Sequence, residues 1–290
     1  MDFHTGIELL TLCDKWHQPI SEIMLRREEK VMETSRESAF AKMKHSYEIM
    51  KNAVSSALTN PQRSMGGLIG GEAAKMNTHR LSSPSGSVCG EITAKATAYA
   101  MGVLEVNASM GLIVAAPTAG SSGVIPGVFL AVQESFGFSD EQMIQALFHT
   151  AAVGYLIVRN ATVSGAQGGC QAEVGSASAM AASAVAELMG ATPAQCLSAA
   201  SLALSNLLGL VCDPVAGLVE TPCQQRNAIG AANALVCAEI SLSGIPSVIP
   251  FDEMVEATRQ VGSRIPMELR ETALGGMATT PTACAFCPGL

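Results

Sequence analysis

The amino-acid sequence predicts an all-α protein, and three observations support that prediction. No stretch of the 290 residues alternates apolar and polar side chains in a sustained way, as a half-buried strand would. Ala-rich segments of helical length follow one another along most of the chain. Aromatic residues make up only 4% of the chain while hydrophobic residues reach 48%, so small side chains must fill the core and let helices approach closely.

The first part of the chain is predicted to be a charged helical layer over residues 1–60. Residues 1–51 carry 17 of the 42 charged residues. Apolar positions from Ser21 to Val54 predict one long amphipathic helix, whose second half steps by three and four residues through Phe40, Met43, Tyr47 and Met50. This face is able to pack on the body of the protein or on a partner, and the sequence leaves both open.

Residues 61–282 are predicted to form the helical body, followed by a cysteine-containing tail over 283–290. The body begins with Gly-rich connectors, MGGLIGGEAAKM and LSSPSGSVCG. Ser139 before DEQM and Thr192 before PAQ are predicted helix caps, the second with Pro193 at the first helical position. The helices predicted for the body span residues 91–105, 127–136, 140–158, 177–189, 193–210, 227–242 and 251–261.

Charge and composition exclude several classes of function. The net charge of −8, with no basic run, argues against a nucleic-acid-binding surface. Two long stretches without charge, 106–133 and 188–212, are interrupted by Pro, Gly and polar residues, so they predict buried rather than membrane helices. The start of the chain has no basic segment followed by an apolar one, and we expect the nine cysteines to be reduced in the cytoplasm.

Cys170, Cys212 and Cys223 are the most informative residues. They lie in GAQGGCQAEVG and GLVCDPVAGLVETPC, flanked by Gly or Pro and by ionisable or amide residues, which predicts thiols that are presented rather than packed. Thiolates in such a setting can hold a soft metal centre. Their wide spacing matches no compact zinc or ferredoxin pattern, so spacing alone leaves ordinary buried cysteines open. Apolar helical surroundings predict core thiols at Cys13, Cys196 and Cys237, whereas Cys89 lies in a Gly/Ser loop.

The sequence motifs near these cysteines are more specific evidence of function than the cysteine spacing. CQAEVGSASAMAA, LGLVCDPVAGLVETPC, QRNAIGAANA, EVNASMG and APTAGSSGVIPG resemble the alpha subunit of the two-chain, iron–sulfur-dependent L-serine dehydratases, from about residue 5 to 282. The resemblance implies a helical catalytic domain over 61–282 that converts L-serine to pyruvate and ammonia. It also implies a 4Fe-4S cluster held by Cys170, Cys212 and Cys223, with its fourth iron left for substrate.

The loop APTAGSSGVIPG offers backbone N–H groups and hydroxyls that can surround a small anion, although it can also be an ordinary helix connection. Within the resembled family, Thr118, Ser121 and Ser122 are expected to bind the substrate carboxylate. Lys75, in GGEAAKM, is expected to pair with substrate or a buried acid, or else to be a solvated surface lysine.

Acidic side chains near the cysteines are candidates to orient the site, or else to cap helices or neutralise Arg226. They are Glu173, Asp213 and Glu220.

A partner chain is expected because the histidines are poorly placed for catalysis. All five precede Cys170, and His149 interrupts an apolar helix, where a satisfied core residue is favoured over a base. In the resembled family the base lies in a Ser-Ser-His-Thr word of a beta subunit or second domain, and no such word occurs here. A pyridoxal phosphate enzyme is disfavoured because the lysines end at Lys95, without a recognisable Schiff-base context.

The tail ACAFCPGL carries Cys284 and Cys287, which are expected to be inert or to cap the open iron, with a redox pair as a third interpretation. Two other functions stay open from the sequence. One is a related small amino-acid lyase such as a cysteine desulfidase. The other is a non-catalytic scaffold subunit with structural zinc.

Overall fold

The computed structural model describes residues 2–83 and 86–286, and within these ranges it is all-α, as the sequence predicts. No strand forms in the described ranges, where an isolated bridge joins Cys212 to Arg270. A π-helical turn, Gln171–Gly175, joins α8 to α9. The helices are α1 Gly6–Trp16, α2 Ile20–Val31, α3 Arg36–Thr59, α4 Glu72–Ser82, α5 Gly90–Ala108, α6 Val124–Phe136, α7 Asp140–Asn160, α8 Gly165–Gly168, α9 Ser176–Leu188, α10 Pro193–Asn206, α11 Cys223–Leu242, α12 Phe251–Arg264 and α13 Pro281–Cys284.

Two predicted helix starts are confirmed by their cap geometry. The Ser139 hydroxyl accepts from the Gln142 N–H, and the Gln142 side chain accepts from the Ser139 N–H in return. Thr192 and Gln195 form the same reciprocal pair at the start of α10, where Pro193 is the first helical residue. Such pairs satisfy N–H groups that have no partner inside the helix.

The prediction of one long helix over residues 21–54 is wrong. The chain forms α2 and α3 instead, separated by a break in which Glu33 has a φ of 50°. Ser35 is the physical reason for the new start, because its hydroxyl accepts from the Ser38 N–H and caps α3. The connector predicted after Pro61 also contains an unpredicted helix, α4.

The apolar faces of α2 and α3 pack on the body of the protein. Tyr47, Met50 and Val54 are buried in the same core as α6, α7 and α9, and Phe40 and Met43 pack against it while partly exposed. The side chain of Tyr47 donates a hydrogen bond of 2.5 Å to Gln133 on α6. Of the two alternatives left open by the sequence, the structure therefore shows packing on the body.

Small residues bring the central helices together. Residues 176–186 of α9 are all buried, and α9 packs between α7, α10 and α11. On α6, a Cβ at Gly127 would lie only 2.6 Å from the Ala96 carbonyl oxygen on α5, so the two helices approach at backbone distance. Among the described residues, no helix is both long and apolar enough to cross a bilayer.

Candidate cysteine metal centre

Three loops bring Cys170, Cys212 and Cys223 together at one end of the helical core. Cys170 lies between α8 and the π-helical turn, and Cys223 is the first residue of α11. Cys212 follows α10 and is fixed by the C-terminal segment. Its N–H donates to the Leu269 carbonyl at 2.8 Å, and its carbonyl accepts from the Glu271 N–H at 2.7 Å.

All three thiols are buried, so the prediction that they are presented rather than packed is wrong. Their exposed fractions are 2%, 2% and 6% in chain order. The glycines serve close packing instead. Gly169 has a φ of 75°, and a Cβ there would lie 2.8 Å from the Leu210 carbonyl oxygen, so a side chain would push the Cys170 and Cys212 loops apart.

The three thiols form one electrostatic unit, which we call the cysteine centre. The sulfurs of Cys170 and Cys212 lie within 4.8 Å of each other and of a Glu173 carboxylate oxygen. The pKa of Cys170 is lowered by a hydrogen bond from Cys212 and by the nearby charge of Arg226. The pKa of Cys212 is raised by the same hydrogen bond and by burial. Burial and the Cys170 and Glu173 charges raise the pKa of Cys223 to about 12.

Arg226 supplies positive charge to this buried centre. Its Nη1 donates to the Cys170 sulfur at 3.4 Å and to the Val211 carbonyl at 2.7 Å, and its Nη2 lies 2.7 Å from Asp213 Oδ1. The other Asp213 oxygen accepts from the Met277 N–H at 2.7 Å. Asp213 therefore orients Arg226 and ties the cysteine centre to the C-terminal segment.

Two of the predicted substrate residues lie beside Glu173. Thr118 donates a 2.7 Å hydrogen bond to Glu173 Oε1, and the Thr118 and Ser121 hydroxyl oxygens are 3.1 Å apart. Burial raises the pKa of Glu173, and the charge of Glu271 raises it further. Ser122 is fully buried, and its hydroxyl has no hydrogen-bond partner among the described residues. The loop and the cysteine centre are thus brought together through Glu173.

The remaining predicted residues lie further from the thiols. Glu220 accepts from the Ser64 hydroxyl at 2.6 Å and from the Gly66 N–H at 2.7 Å, so it organises the loop before α4. Lys75 is exposed on α4 and acts electrostatically on Glu72. Cys284 is exposed at the end of α13, and Cys287 lies outside the described residues.

Sequence reasoning missed two residues that complete the site. Asn227, on the first turn of α11, donates to the Gly120 carbonyl at 2.8 Å and accepts from the Gly123 N–H at 3.0 Å, so it clamps the loop to α11. Glu271 approaches Gly165, where a Cβ would lie 3.3 Å from its Oε2. Asn227 lies within the motif QRNAIGA, so the sequence contains a signal that could have identified it. No local sequence pattern identifies Glu271.

The donor set fits an iron–sulfur cluster with one iron lacking a protein ligand. Three buried thiols supply the thiolates that such clusters require, and Arg226 offsets part of their charge. A structural zinc site instead takes four protein ligands.

The chain is similar to serine dehydratases along nearly its whole length. A family model described as serine dehydratase alpha chain matches residues 16–278. The probable L-serine dehydratase alpha chain of Bacillus subtilis is 47% identical over 280 residues, which cover 97% of this chain and 92% of the relative. The L-serine dehydratase alpha chain of Peptoniphilus asaccharolyticus is 43% identical, with 96% of this chain and 95% of the relative covered.

One relative is considerably longer than this chain. The L-serine dehydratase of Streptomyces coelicolor is 35% identical over 290 residues, and 97% of this chain aligns with only 62% of that protein. The family match and these identities extend through the cysteine centre and the loop beside it. The chain therefore belongs to the serine dehydratase alpha chain family.

Proposed function

We propose that this chain is the alpha chain of an L-serine dehydratase that converts L-serine to pyruvate and ammonia. The observation that carries the proposal is the cysteine centre itself, three buried thiols beside a hydroxyl-rich loop in a chain of this family. Cys170, Cys212 and Cys223 would hold a 4Fe-4S cluster. When bound, the cluster would supply Lewis-acid assistance to departure of the serine hydroxyl.

The residues of the chain bind and orient the substrate. Thr118, which is partly buried, would offer its hydroxyl to the serine carboxylate beside Glu173. Ser121 is fully buried and would support Thr118 through the 3.1 Å contact between the two hydroxyls. Asn227 holds this loop against α11, and therefore in register with Cys223. Elimination removes the α-proton and the β-hydroxyl as water, and hydrolysis of the resulting enamine, through its imine tautomer, releases ammonia and leaves pyruvate.

We propose that a separate beta chain supplies the base that removes the α-proton. His149 has no exposed surface, so it cannot meet a substrate without rearrangement. The Streptomyces coelicolor relative extends well beyond the part that aligns with this chain, which supports a missing second part. A reducing cytoplasm suits the assembly, because the eight cysteines in the described ranges are all free.

The tail remains a candidate cap for the open iron. Cys284 ends the short helix α13, and its sulfur is 4.0 Å from the Ala278 carbonyl. Met277, which bonds Asp213, stands only a few residues earlier, so the tail leaves the body close to the cysteine centre. Cys284 or Cys287 would be the capping ligand, and Cys287 lies outside the described residues.

Cysteine variants test the ligand set. After anaerobic reconstitution, Cys170→Ala, Cys212→Ala and Cys223→Ala should each lose the cluster, measured as iron and sulfide per chain. Cys237→Ala is the matched control, because Cys237 is equally buried but lies within α11 away from the loops. Full iron content with wild-type activity in any of the first three variants would remove that residue from the ligand set.

Reconstitution with the beta chain tests the division of labour. The cluster-loaded alpha chain alone should turn over L-serine poorly, and added beta chain should restore pyruvate formation. A beta chain in which the histidine of its Ser-Ser-His-Thr word is replaced should not restore it. High specific activity of the alpha chain alone would show that the base lies in this sequence.

A further inference from the structure

A second group of metal-ligand side chains lies in the helical core and shares no residue with the cysteine centre. It consists of His149 on α7, Glu187 on α9 and Cys196 on α10, and we call it the His149 cluster. One nitrogen, one oxygen and one sulfur from these residues lie within 4.8 Å of one another. His149 and Cys196 are completely buried, and the Glu187 side chain is 15% exposed.

The His149 ring is oriented as it is in metal sites. Its Nε2 lies 2.7 Å from the Ser183 hydroxyl, which can accept the ring proton and leave the lone pair of Nδ1 free. Nδ1 lies 2.8 Å from Glu187 Oε2, yet no atom in the described chain meets hydrogen-bond geometry with it. The Glu187 carboxylate thus faces Nδ1 at ion-pair distance, and an ion bound by both groups would use the Nδ1 lone pair and a carboxylate oxygen as ligands.

A backbone group also orients the carboxylate. The Ser21 N–H, in the first turn of α2, donates to Glu187 Oε2 at 3.4 Å. This hydrogen bond favours the ionised carboxylate, which is the form that binds a cation.

We propose that His149, Glu187 and Cys196 bind a divalent cation of the zinc class. Imidazole, carboxylate and thiolate are the ligands that zinc takes in proteins. The Glu187 carboxylate and the Cys196 thiolate neutralise the two charges of the ion, which a buried site requires. Binding releases the Cys196 thiol proton to the solvent, so it strengthens as the pH rises.

His149 and Cys196 are completely buried, so the ion would have a structural role. It would join α7, α9 and α10, the helices that carry its three ligands. It would thereby stabilise the helical core, independently of the iron–sulfur chemistry.

Zinc content of the full chain tests the proposal. The chain is reconstituted with its iron–sulfur cluster, so that the other thiols are occupied, then equilibrated with zinc and desalted. We expect one zinc per chain in the wild type and in Cys237→Ser, the matched buried thiol, and almost none in His149→Gln or Cys196→Ser. Wild-type chain without zinc, or variants that keep it, would overturn the proposal.

Cobalt provides a second measurement, on the thiol ligand itself. In a chain with Cys170, Cys212 and Cys223 all replaced by Ser, and shown by circular dichroism to keep its helices, added cobalt should give a thiolate-to-cobalt charge-transfer band. Adding Cys196→Ser should abolish the band, whereas adding Cys237→Ser should not. Absence of the band in the folded triple variant, or its persistence without Cys196, would overturn the proposal.

Discussion

Replacing Arg226 with methionine removes the cation that bonds the Cys170 sulfur while keeping most of the side-chain volume. In the native chain the guanidinium bonds Asp213, the Val211 carbonyl and the Cys170 sulfur. Arg226→Met leaves Asp213 with the Met277 N–H at 2.7 Å and without a positive partner.

The magnitude follows from the burial of the pair. The Arg226 and Asp213 side chains are only 14% and 7% exposed, so solvent cannot replace the lost partner. Removing one member of a buried ion pair costs about 3–5 kcal/mol. That is a large share of the ~5–15 kcal/mol by which domains are typically stable. Asp213→Asn should also destabilise, and the double variant should lose less than the sum because neither charge is then left alone.

The assay is urea unfolding of the cluster-free chain under reducing conditions, followed by circular dichroism. Arg259→Met is the control, because the Arg259 pair with Glu256 lies in solvent and should leave the unfolding midpoint unchanged. A loss below about 1 kcal/mol for Arg226→Met, the range of exposed pairs, would refute the reasoning. Strict additivity of the two variants would refute it as well.

Three further predictions concern packing, pH and the tail. Gly123→Ala should cost about 1–3 kcal/mol in urea unfolding, because its Cβ would lie 2.1 Å from the Ala100 carbonyl oxygen. Gly175→Ala, with its nearest contact at 3.8 Å, should cost far less, and equal effects would contradict this packing argument. Burial raises the pKa of Glu105. As the pH falls from neutral toward the ordinary carboxyl value of about 4.3, the folded chain therefore binds a proton at Glu105 before the unfolded chain does, and this protonation stabilises the fold. As the pH falls over that interval, the unfolding free energy of the wild type should therefore rise relative to that of Glu105→Gln. A difference between the two proteins that stays constant with pH would contradict the prediction. Removing residues 282–290 should shorten any lag in serine turnover and make the cluster decay faster in oxygen if Cys284 or Cys287 caps the iron, and an unchanged lag and decay would leave the tail inert.

Local signals predicted most of the fold. Ser139 and Thr192 carry their cap partners three residues ahead, so the starts of α7 and α10 are visible in the sequence. The break before Ser35 was not predicted, because apolar spacing continues across it and only the cap hydroxyl interrupts the helix. Helix α4 was not predicted, because the glycines before it indicate a connector. The last of them, Gly71, immediately precedes the first residue of the helix.

The site was predictable only in part, because its contacts join distant segments. Family words identify Cys170, Cys212 and Cys223, but their burial depends on backbone packing such as that of Gly169 against Leu210. Glu271 reaches Gly165 across about a hundred residues, a contact that no local pattern records. The His149 cluster is of the same kind, since its donors come from three separate helices.

The backbone pairing of Cys212 makes its position depend on a distant part of the chain. Its N–H and carbonyl both bond the segment from Leu269 to Glu271, which follows it only after two further helices, α11 and α12. Without that segment, the Cys212 loop loses both of these backbone bonds. The three thiols can therefore come together only after distant segments have folded against one another, whereas each helix of the core forms from local contacts.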